Sequence, residues 1–523
     1  MRLPFRLAPP LAAATSRLDD GAFRFLNVTG PSQGSIDWNP EGHSRLWRYN
    51  LHYFDYLRQP DLGADAAAEL IRSWIADNPQ AAEPGWEPFP TSLRIVNWIF
   101  ASRAFPEAVG PHALTSLYLQ ARWLYRNDER HILANHYFEN LKALAFAGAF
   151  FRGAEPRRWL RRAVARLRAQ LVEQTLPDGG HYERSPQYHG LMLENYLDLI
   201  NLSDNNPDLF ESCFVAELRA AAGRGLDWLN DIVFPDGRIP LFNDSAFGIA
   251  PTAAELSAYA RRLFGYCYAG RACEPELICK DDSGLYGVRA GGDMVLMDCG
   301  AIGPDYQPGH THCDFLSYEL MLDGRRVVVD TGVFEYAPGP MRDYVRSTRA
   351  HNTVVIDDDE QSELWGEFRV GRRAEKIYGN ALRDGDRAIL SGKYRGFFGG
   401  TWRLQPRFTV ARKVVVELSG ARIAAMEVSD VVEGDGHHRL ESFAHLHPEL
   451  SAAGDGARSV RITDRDGRLI GTLTVARGCT YTIRTTSHHP EFGIHLANQC
   501  VVVSKRSTLP TGISYRFSPG ERS

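Results

Sequence analysis

The sequence predicts a multidomain α+β protein, with an α/α toroid over residues 1–275 followed by an antiparallel β-sandwich over residues 276–523. Three observations carry this prediction. Up to about residue 266, apolar residues recur at three- and four-residue spacing with no strand-like run between the helical segments. Around 275–285 the texture changes to short runs rich in Val, Tyr, Thr and Phe, set between Asp-Gly and Gly-Gly turns. A chain of 523 residues also exceeds what one hydrophobic core accommodates.

Helices are expected at 64–78, 91–106, 112–126, 135–151, 156–174, 187–203, 213–232 and 252–266, where Ala, Leu and Arg dominate. Pro-Gly at 84–85, Pro-Asp-Gly-Gly at 177–180, Asn-Asn-Pro at 205–207 and Pro-Asp-Gly at 235–237 separate them. Helices of this length, paired without strands, point to a toroid or solenoid, although no clean sequence period accompanies them. Strands are expected at Met294–Met297, Leu316–Leu322, Val327–Asp330, Thr353–Ile356, Phe408–Val416, Arg439–His445 and Thr472–Arg477. Asp-Gly at 323–324 and 466–467 has hairpin chemistry. Such strands bury one face each and pack as layers.

Composition excludes several partner classes. Apolar residues make up 44% and charged residues 24%, and 59 basic against 64 acidic residues leave a net charge of −5. That balance gives no footprint for nucleic acid or a membrane surface. No apolar run is long enough to span a bilayer. Residues 1–14 carry two arginines and three prolines, which break the apolar run a signal peptide needs. The expected location is therefore cytoplasmic, or periplasmic or secreted if a signal has been removed. The eight cysteines include no Cys-x-x-Cys pair, so free buried thiols, Cys273 among them, are expected. Aromatics reach 11%, which suits either a carbohydrate cleft or a large core.

Polar residues cluster in three places. In residues 309–353, His312, Asp330 and His351 sit at strand ends. Two imidazoles and a carboxylate suit zinc, and His310 is left free for chemistry. Ala-Asn-His-Tyr-Phe-Glu-Asn at 134–140 opens a strongly apolar helix, with Asn135 read as its N-cap and His136, Glu139 and Asn140 crowded behind it. Pro-Asp-Gly-Gly-His-Tyr-Glu-Arg-Ser-Pro-Gln-Tyr-His at 177–189 is a loop entering a helix, with Ser185 as cap and Pro186 in the first turn. Aromatic-rich 46–57 and 86–98, the latter with Arg94, line a sugar cleft or pack as helices. The acidic run 357–360 reads as a turn with solvated charges. Glu139, Arg94, Glu183, Arg184, His189 and Arg349 are the candidate substrate-binding groups. No nucleophile elbow, phosphate-binding loop or dinucleotide fingerprint is present.

Together, Trp-x-Tyr-Asn-Leu-His-Tyr-Phe at 47–54, Asn-His-x-x-Glu-Asn at 135–140, Glu-Arg-Ser-Pro-x-Tyr-His at 183–189, Gly-His-x-His-x-Asp at 309–314, Val-Asp-x-Gly at 329–332 and Arg-Ser-Thr-x-Ala-His-Asn-Thr at 346–353 form an ordered set. It resembles the heparinase II/III family of polysaccharide lyases and its oligoalginate lyase relatives, over about residues 40 to 420. The resemblance implies an α/α toroid followed by antiparallel sheets. It also implies β-elimination on a uronic-acid-containing polysaccharide, glycosaminoglycan-like or a bacterial exopolysaccharide, leaving a 4,5-unsaturated uronate. Asn135, assisted by His136, would neutralise the uronate carboxylate. Tyr188 and His310 would move the protons: Tyr188 alone when proton and leaving group share a face, His310 as base and Tyr188 as acid when they do not. Tyr336 is a further candidate tyrosine. His312, Asp330 and His351 would hold a structural zinc whose fourth position is water or another side chain.

Because Asn135 and Tyr188 lie in the first half of the sequence and His310 in the second, the halves are expected to share a cleft. An oligoalginate lyase is the alternative within the family. Outside it stand a glycoside hydrolase, using Glu183 with Glu139 or Asp178, and an inactive carbohydrate-binding protein.

Overall fold

A computed structural model describes residues 1–2, 4–30, 36–270, 275–397 and 407–521; Cys273 lies outside them. By contacts the chain divides into two units. One is Met1–Thr175 with Gly190–Leu226 and Ala254–Cys267; the other is Leu176–His189, Asp227–Ala253 and Tyr268–Ser523. The second unit thus takes two segments from the region read as purely helical, and Tyr188 belongs to it.

The helices are α1 (Arg45–Tyr53), α2 (Ala64–Asp77), α3 (Pro88–Ala104), α4 (Pro111–Leu124), α5 (Ala134–Phe150), α6 (Ala154–Gln174), α7 (Pro186–Asn205), α8 (Ser212–Ile232), α9 (Ala253–Phe264) and α10 (Pro340–Arg346). Within the first unit α5 packs against α3, α4 and α6. From Asn140 to Phe150 every residue of α5 is buried, as an all-round apolar helix requires. The position before its first turn is Leu133, at φ 65 and with no side-chain cap, followed by Ala134 at φ 51. Asn135 is therefore inside the helix and is not its cap. Two consecutive non-glycine residues in the left-handed region carry strain, of about 1–3 kcal/mol each, immediately before Asn135 and His136.

The aromatic segments form core. Trp47, Phe54, Tyr56, Trp86 and Trp98 are all buried. Phe54 meets Trp98 edge-on at 5.4 Å, and Trp74 meets Trp98 at 5.6 Å. These contacts remove the sugar-cleft reading for most of 46–57 and 86–98 and replace it with helix packing. Helix α1, capped by the Ser44 hydroxyl on the Trp47 amide, buries Trp47 and Tyr53, while α2 supplies Trp74 and α3 Trp98.

Among the described residues the second unit holds three large antiparallel sheets and one two-stranded pair. An eight-stranded sheet runs in the order Glu375–Asp384, Arg387–Gly396, Phe408–Leu418, Ile423–Glu433, Thr511–Pro519, Leu469–Val475, Ser459–Asp464 and Leu450–Gly454. A four-stranded sheet contains Thr480–His488, Leu496–Thr508, His437–His445 and Val354–Ile356, and a five-stranded sheet contains Glu276–Lys280, Leu285–Ala290, Asp293–Asp298, Tyr318–Leu322 and Arg325–Val328. One core draws on all three, with Tyr286, Val295, Leu390, Val414, Leu440, Val501 and Phe517 among its members. Along Phe408–Leu418 buried and less buried residues alternate, the signature of a sheet with one covered face. Leu285–Ala290 and Asp293–Asp298 are buried throughout, so the alternation disappears there.

Asp323 and Gly324, at φ 50 and 72, form the two-residue turn between Tyr318–Leu322 and Arg325–Val328. The acidic run is not simply solvated. Asp357 bonds His438 Nδ1 at 2.5 Å, and Glu360 accepts from the Thr348 hydroxyl at 2.7 Å.

Candidate active site

The loop 176–189 delivers a tyrosine. Leu176 and Gly180 close a tight turn, with the Leu176 amide donating to the Gly180 carbonyl at 2.8 Å. Arg184 adopts φ 61, and Ser185 then caps α7: its hydroxyl accepts from the Tyr188 amide at 3.3 Å and donates to the Asp244 carbonyl at 2.6 Å. Tyr188 consequently leaves the first turn of α7 with its ring stacked on His310, centroids 3.8 Å apart. Its hydroxyl is 3.2 Å from that of Tyr336.

Asp244 is the hub of this cluster. It has no solvent exposure. His310 Nδ1 lies 2.9 Å from Oδ2, and His312 Nε2 lies 2.8 Å from Oδ1. Arg342 of α10 grips both oxygens, with Nη2 at 2.8 Å from Oδ2. Burial pushes the Asp244 carboxyl up, but the charge and hydrogen bonds of Arg342, with those of His310 and His312, hold it well below the usual range. An ionised carboxylate only accepts, so His310 carries its proton on Nδ1 and His312 on Nε2. The lone pair of His310 is then at Nε2. Burial, with the neighbouring Tyr336 and the Asp244 charge, raises Tyr188 well above the usual phenol value, and burial raises Tyr336 likewise.

The expected metal ligands lie next to this hub. His312 Nδ1 and His351 Nε2 are both buried without a hydrogen-bond partner, on rings whose centroids are 5.3 Å apart. His351 Nδ1 faces Asp330 Oδ2 at 2.8 Å. Two orphaned imidazole nitrogens, each backed by a carboxylate on its other nitrogen, fit a zinc site. Asp330 stands behind His351 in this arrangement, and its other oxygen accepts the Gly332 amide at 3.1 Å. Among the described residues no three His, Cys, Asp or Glu side chains are assembled as a metal-holding group.

In the first unit, His136 and Asn135 are half-buried at the start of α5. His136 Nδ1 lies 3.0 Å from Glu129 Oε1, and Glu129 is fixed in turn by Asn140, whose Nδ2 donates to Oε2 at 3.0 Å. Phe89 lies against the His136 ring, with centroids 4.3 Å apart. Glu139 joins an interior network: Lys142 Nζ is 3.8 Å from it and 3.0 Å from Asp198.

Several candidate substrate groups are engaged elsewhere. Arg94 has no exposure; it donates to Gln120, Thr91 and the His52 carbonyl and stacks on Trp74 at 3.8 Å. It is a core residue. Arg184 Nη1 donates to the carbonyls of Asp282 and Ser283, at 2.5 and 2.7 Å. His189 is buried against Trp228, and Glu183 is buried 3.7 Å from His181. Arg349 is exposed, and its carbonyl accepts from His445 Nε2 at 3.0 Å.

Residues 34–264 match the heparinase II/III N-terminus, and residues 276–516 match the heparinase II/III-like C-terminal family. The chain belongs to the heparinase II/III family. The heparin-sulfate lyase of Pedobacter heparinus is 26% identical over 352 residues, covering 61% of this chain and 49% of that protein. The chain spans about half the length of the curated heparin-sulfate lyases it matches. FtsZ-localized protein C of Caulobacter vibrioides is 24% identical over 476 residues, covering 83% of this chain and 74% of that protein. Among solved structures, heparinase III superposes with TM-score 0.74 at 17% identity, covering 95% of this chain and 81% of that one. A heparan sulfate lyase from Pedobacter heparinus superposes with TM-score 0.63 at 18% identity, covering 95% and 80%. These likenesses show the fold.

Within this heparinase II/III member, sequence reasoning missed Asp244, Arg342 and Glu129. Asp244 sits in Asn-Asp-Ser, which reads as a turn, and its partners are 66 to 98 residues away in the chain. The available signal was Arg342 itself, a charged residue in a short segment between Asp330 and His351.

Proposed function

We propose that the protein is a polysaccharide lyase that cleaves a uronic-acid-containing glycosaminoglycan, heparan sulfate first among them, by β-elimination. The observation that carries this reading is the stack of Tyr188 on His310 beside Tyr336, with His310 held by Asp244. It supplies a base and an acid in contact. His310 Nε2 takes the C5 proton of the uronate. The C5–H electrons form the C4–C5 double bond, the bond from C4 to the leaving oxygen breaks, and the Tyr188 phenol gives its proton to that oxygen. The raised value of Tyr188 favours this assignment, because a phenol kept protonated is an acid at rest. The Tyr336 hydroxyl is placed to return a proton to Tyr188. The role of Asn135 and His136 toward the uronate carboxylate is carried into this reading from the resemblance, as is the toroidal arrangement of the helices.

A zinc held by His312 and His351, with Asp330 behind His351, is part of the proposal; when bound it would tie the His312 and His351 segments together. The heparin-sulfate lyases among the relatives favour heparan sulfate over alginate. The test is absorbance of the unsaturated product on heparan sulfate, hyaluronan, chondroitin sulfate and alginate. New absorbance on heparan sulfate is expected. Reducing ends without absorbance would mean hydrolysis.

A second reading rests on the broad mutual coverage with FtsZ-localized protein C. It makes the chain a protein that associates with FtsZ. Binding to purified FtsZ, in the absence of any lyase activity, would favour it.

A further inference from the structure

Leu364–Trp365 pairs with Arg369–Val370 as a hairpin of two residues per strand. A pair this short does not hold itself. It is held by two arginines of α10, each 1% exposed. Arg346 donates to the Gly366 carbonyl at 2.8 Å and to the Arg369 carbonyl at 3.2 Å. Arg342, while gripping Asp244, donates to the Glu367 carbonyl from Nε at 3.1 Å and from Nη2 at 2.9 Å. The hairpin is therefore anchored to the same guanidinium that fixes the carboxylate behind His310.

Its side chains divide into two kinds. Phe368 turns toward the tyrosine–histidine cluster, with its ring 5.4 Å from Tyr336 and 6.1 Å from His310, both edge-on. Trp365, three positions away, is 59% exposed. The Arg369 guanidinium, across the ladder, lies over its ring at 5.6 Å. An indole left in water on an anchored hairpin whose Phe368 meets the reactive cluster, with a cation at its face, matches one ligand chemistry: a pyranose ring bearing an anionic group. Aromatic faces stack on the C–H faces of sugars, and a guanidinium pairs with carboxylate or sulfate.

We propose that Trp365 and Arg369 form a subsite for the sugar next to the uronate at Tyr188, with the indole stacking on its ring and Arg369 pairing with its carboxylate or sulfate. This rests on the reading that the protein takes an anionic, uronate-containing polysaccharide. The subsite is away from the bonds that change, so it binds ground state and transition state alike and acts on KM.

The test uses the full chain and Trp365→Ala, Trp365→Phe and Arg369→Ala. Affinity electrophoresis and ultraviolet absorbance are run with heparan sulfate, hyaluronan, chondroitin sulfate and alginate. On whichever polymer the parent turns over, Trp365→Ala should raise KM roughly ten-fold, with kcat changed less than about two-fold. Trp365→Phe should recover most of that loss. Arg369→Ala should raise KM and flatten its dependence on salt. An unchanged KM in Trp365→Ala, or a fall in kcat at constant KM, overturns the subsite alone, because the second result means the tryptophan merely supports Phe368. A parent that neither binds nor cleaves any of the polymers overturns the subsite together with the reading beneath it.

Discussion

At the scale of single residues, Tyr188 and Asp244 make opposite demands on a mutagenesis experiment. Tyr188→Phe deletes one hydroxyl from a ring that stays stacked on His310. Turnover on a polymer the parent cleaves should fall by roughly a hundred- to ten-thousand-fold, with substrate still bound and the melting temperature little changed. Near-normal turnover would move proton transfer to another group. Asp244→Asn keeps the shape and removes the charge, so the Arg342 guanidinium loses its counter-ion in a buried place. Breaking a buried pair costs about 3–5 kcal/mol, which a denaturant titration would read directly. The same substitution ends the carboxylate's control over which nitrogen of His310 bears the proton, so kcat should drop in protein that is still folded. Tyr188 and His310 stood out in the sequence because titratable residues crowd around them and their motifs resemble the family's, and the structure brings their rings together. Asp244 did not, since a lone aspartate in a turn has no local feature to distinguish it from a cap.

Elements were legible where they are long. The helices at 64–78, 91–106 and onward emerge within a few residues of their expected ends, because amphipathic repeats over several turns leave little ambiguity. Arg45–Tyr53, at nine residues, was read only as one of two alternatives for 46–57, and Pro340–Arg346, at seven, was overlooked as too short for a periodic pattern. That omission hid Arg342 and Arg346. Turn chemistry was dependable at Asp323-Gly324, where both residues take positive φ. Two predictions belong at this scale. Ser185→Ala removes the cap of α7 and the bond to the Asp244 carbonyl, and should cost about 1–2 kcal/mol by denaturant titration. Gly332, at φ 74, lies where an added Cβ would overlap the His489 carbonyl. Gly332→Ala should therefore lower the melting temperature by several degrees, from a loss of about 2 kcal/mol or more, and an unchanged melting curve would refute the close approach.

For the molecule as a whole, the sequence distinguished a helical region from a sheet region but not their interleaving. Segments 176–189 and 227–253 belong with the sheets, because what they bind, through Asp244 and Arg184, is sheet-unit backbone and side chains far along the chain. Such pairings leave no periodic trace. Elemental analysis of the purified chain should find about one zinc per molecule, and a chelator should lower its melting temperature. A metal-free protein indifferent to chelator would leave His312 and His351 as unusual core histidines.

The hairpin at 364–370 has a consequence for how such a protein changes over generations. Arg342 and Arg346 hold it through carbonyl oxygens, which every amino acid carries. Apart from Gly366, which sits at φ 56, the path of the loop is thus set by backbone contacts and not by what its side chains are. Mutation can rewrite the exposed positions of the tip, Trp365 first among them, while the backbone that Arg342 and Arg346 hold stays where it is.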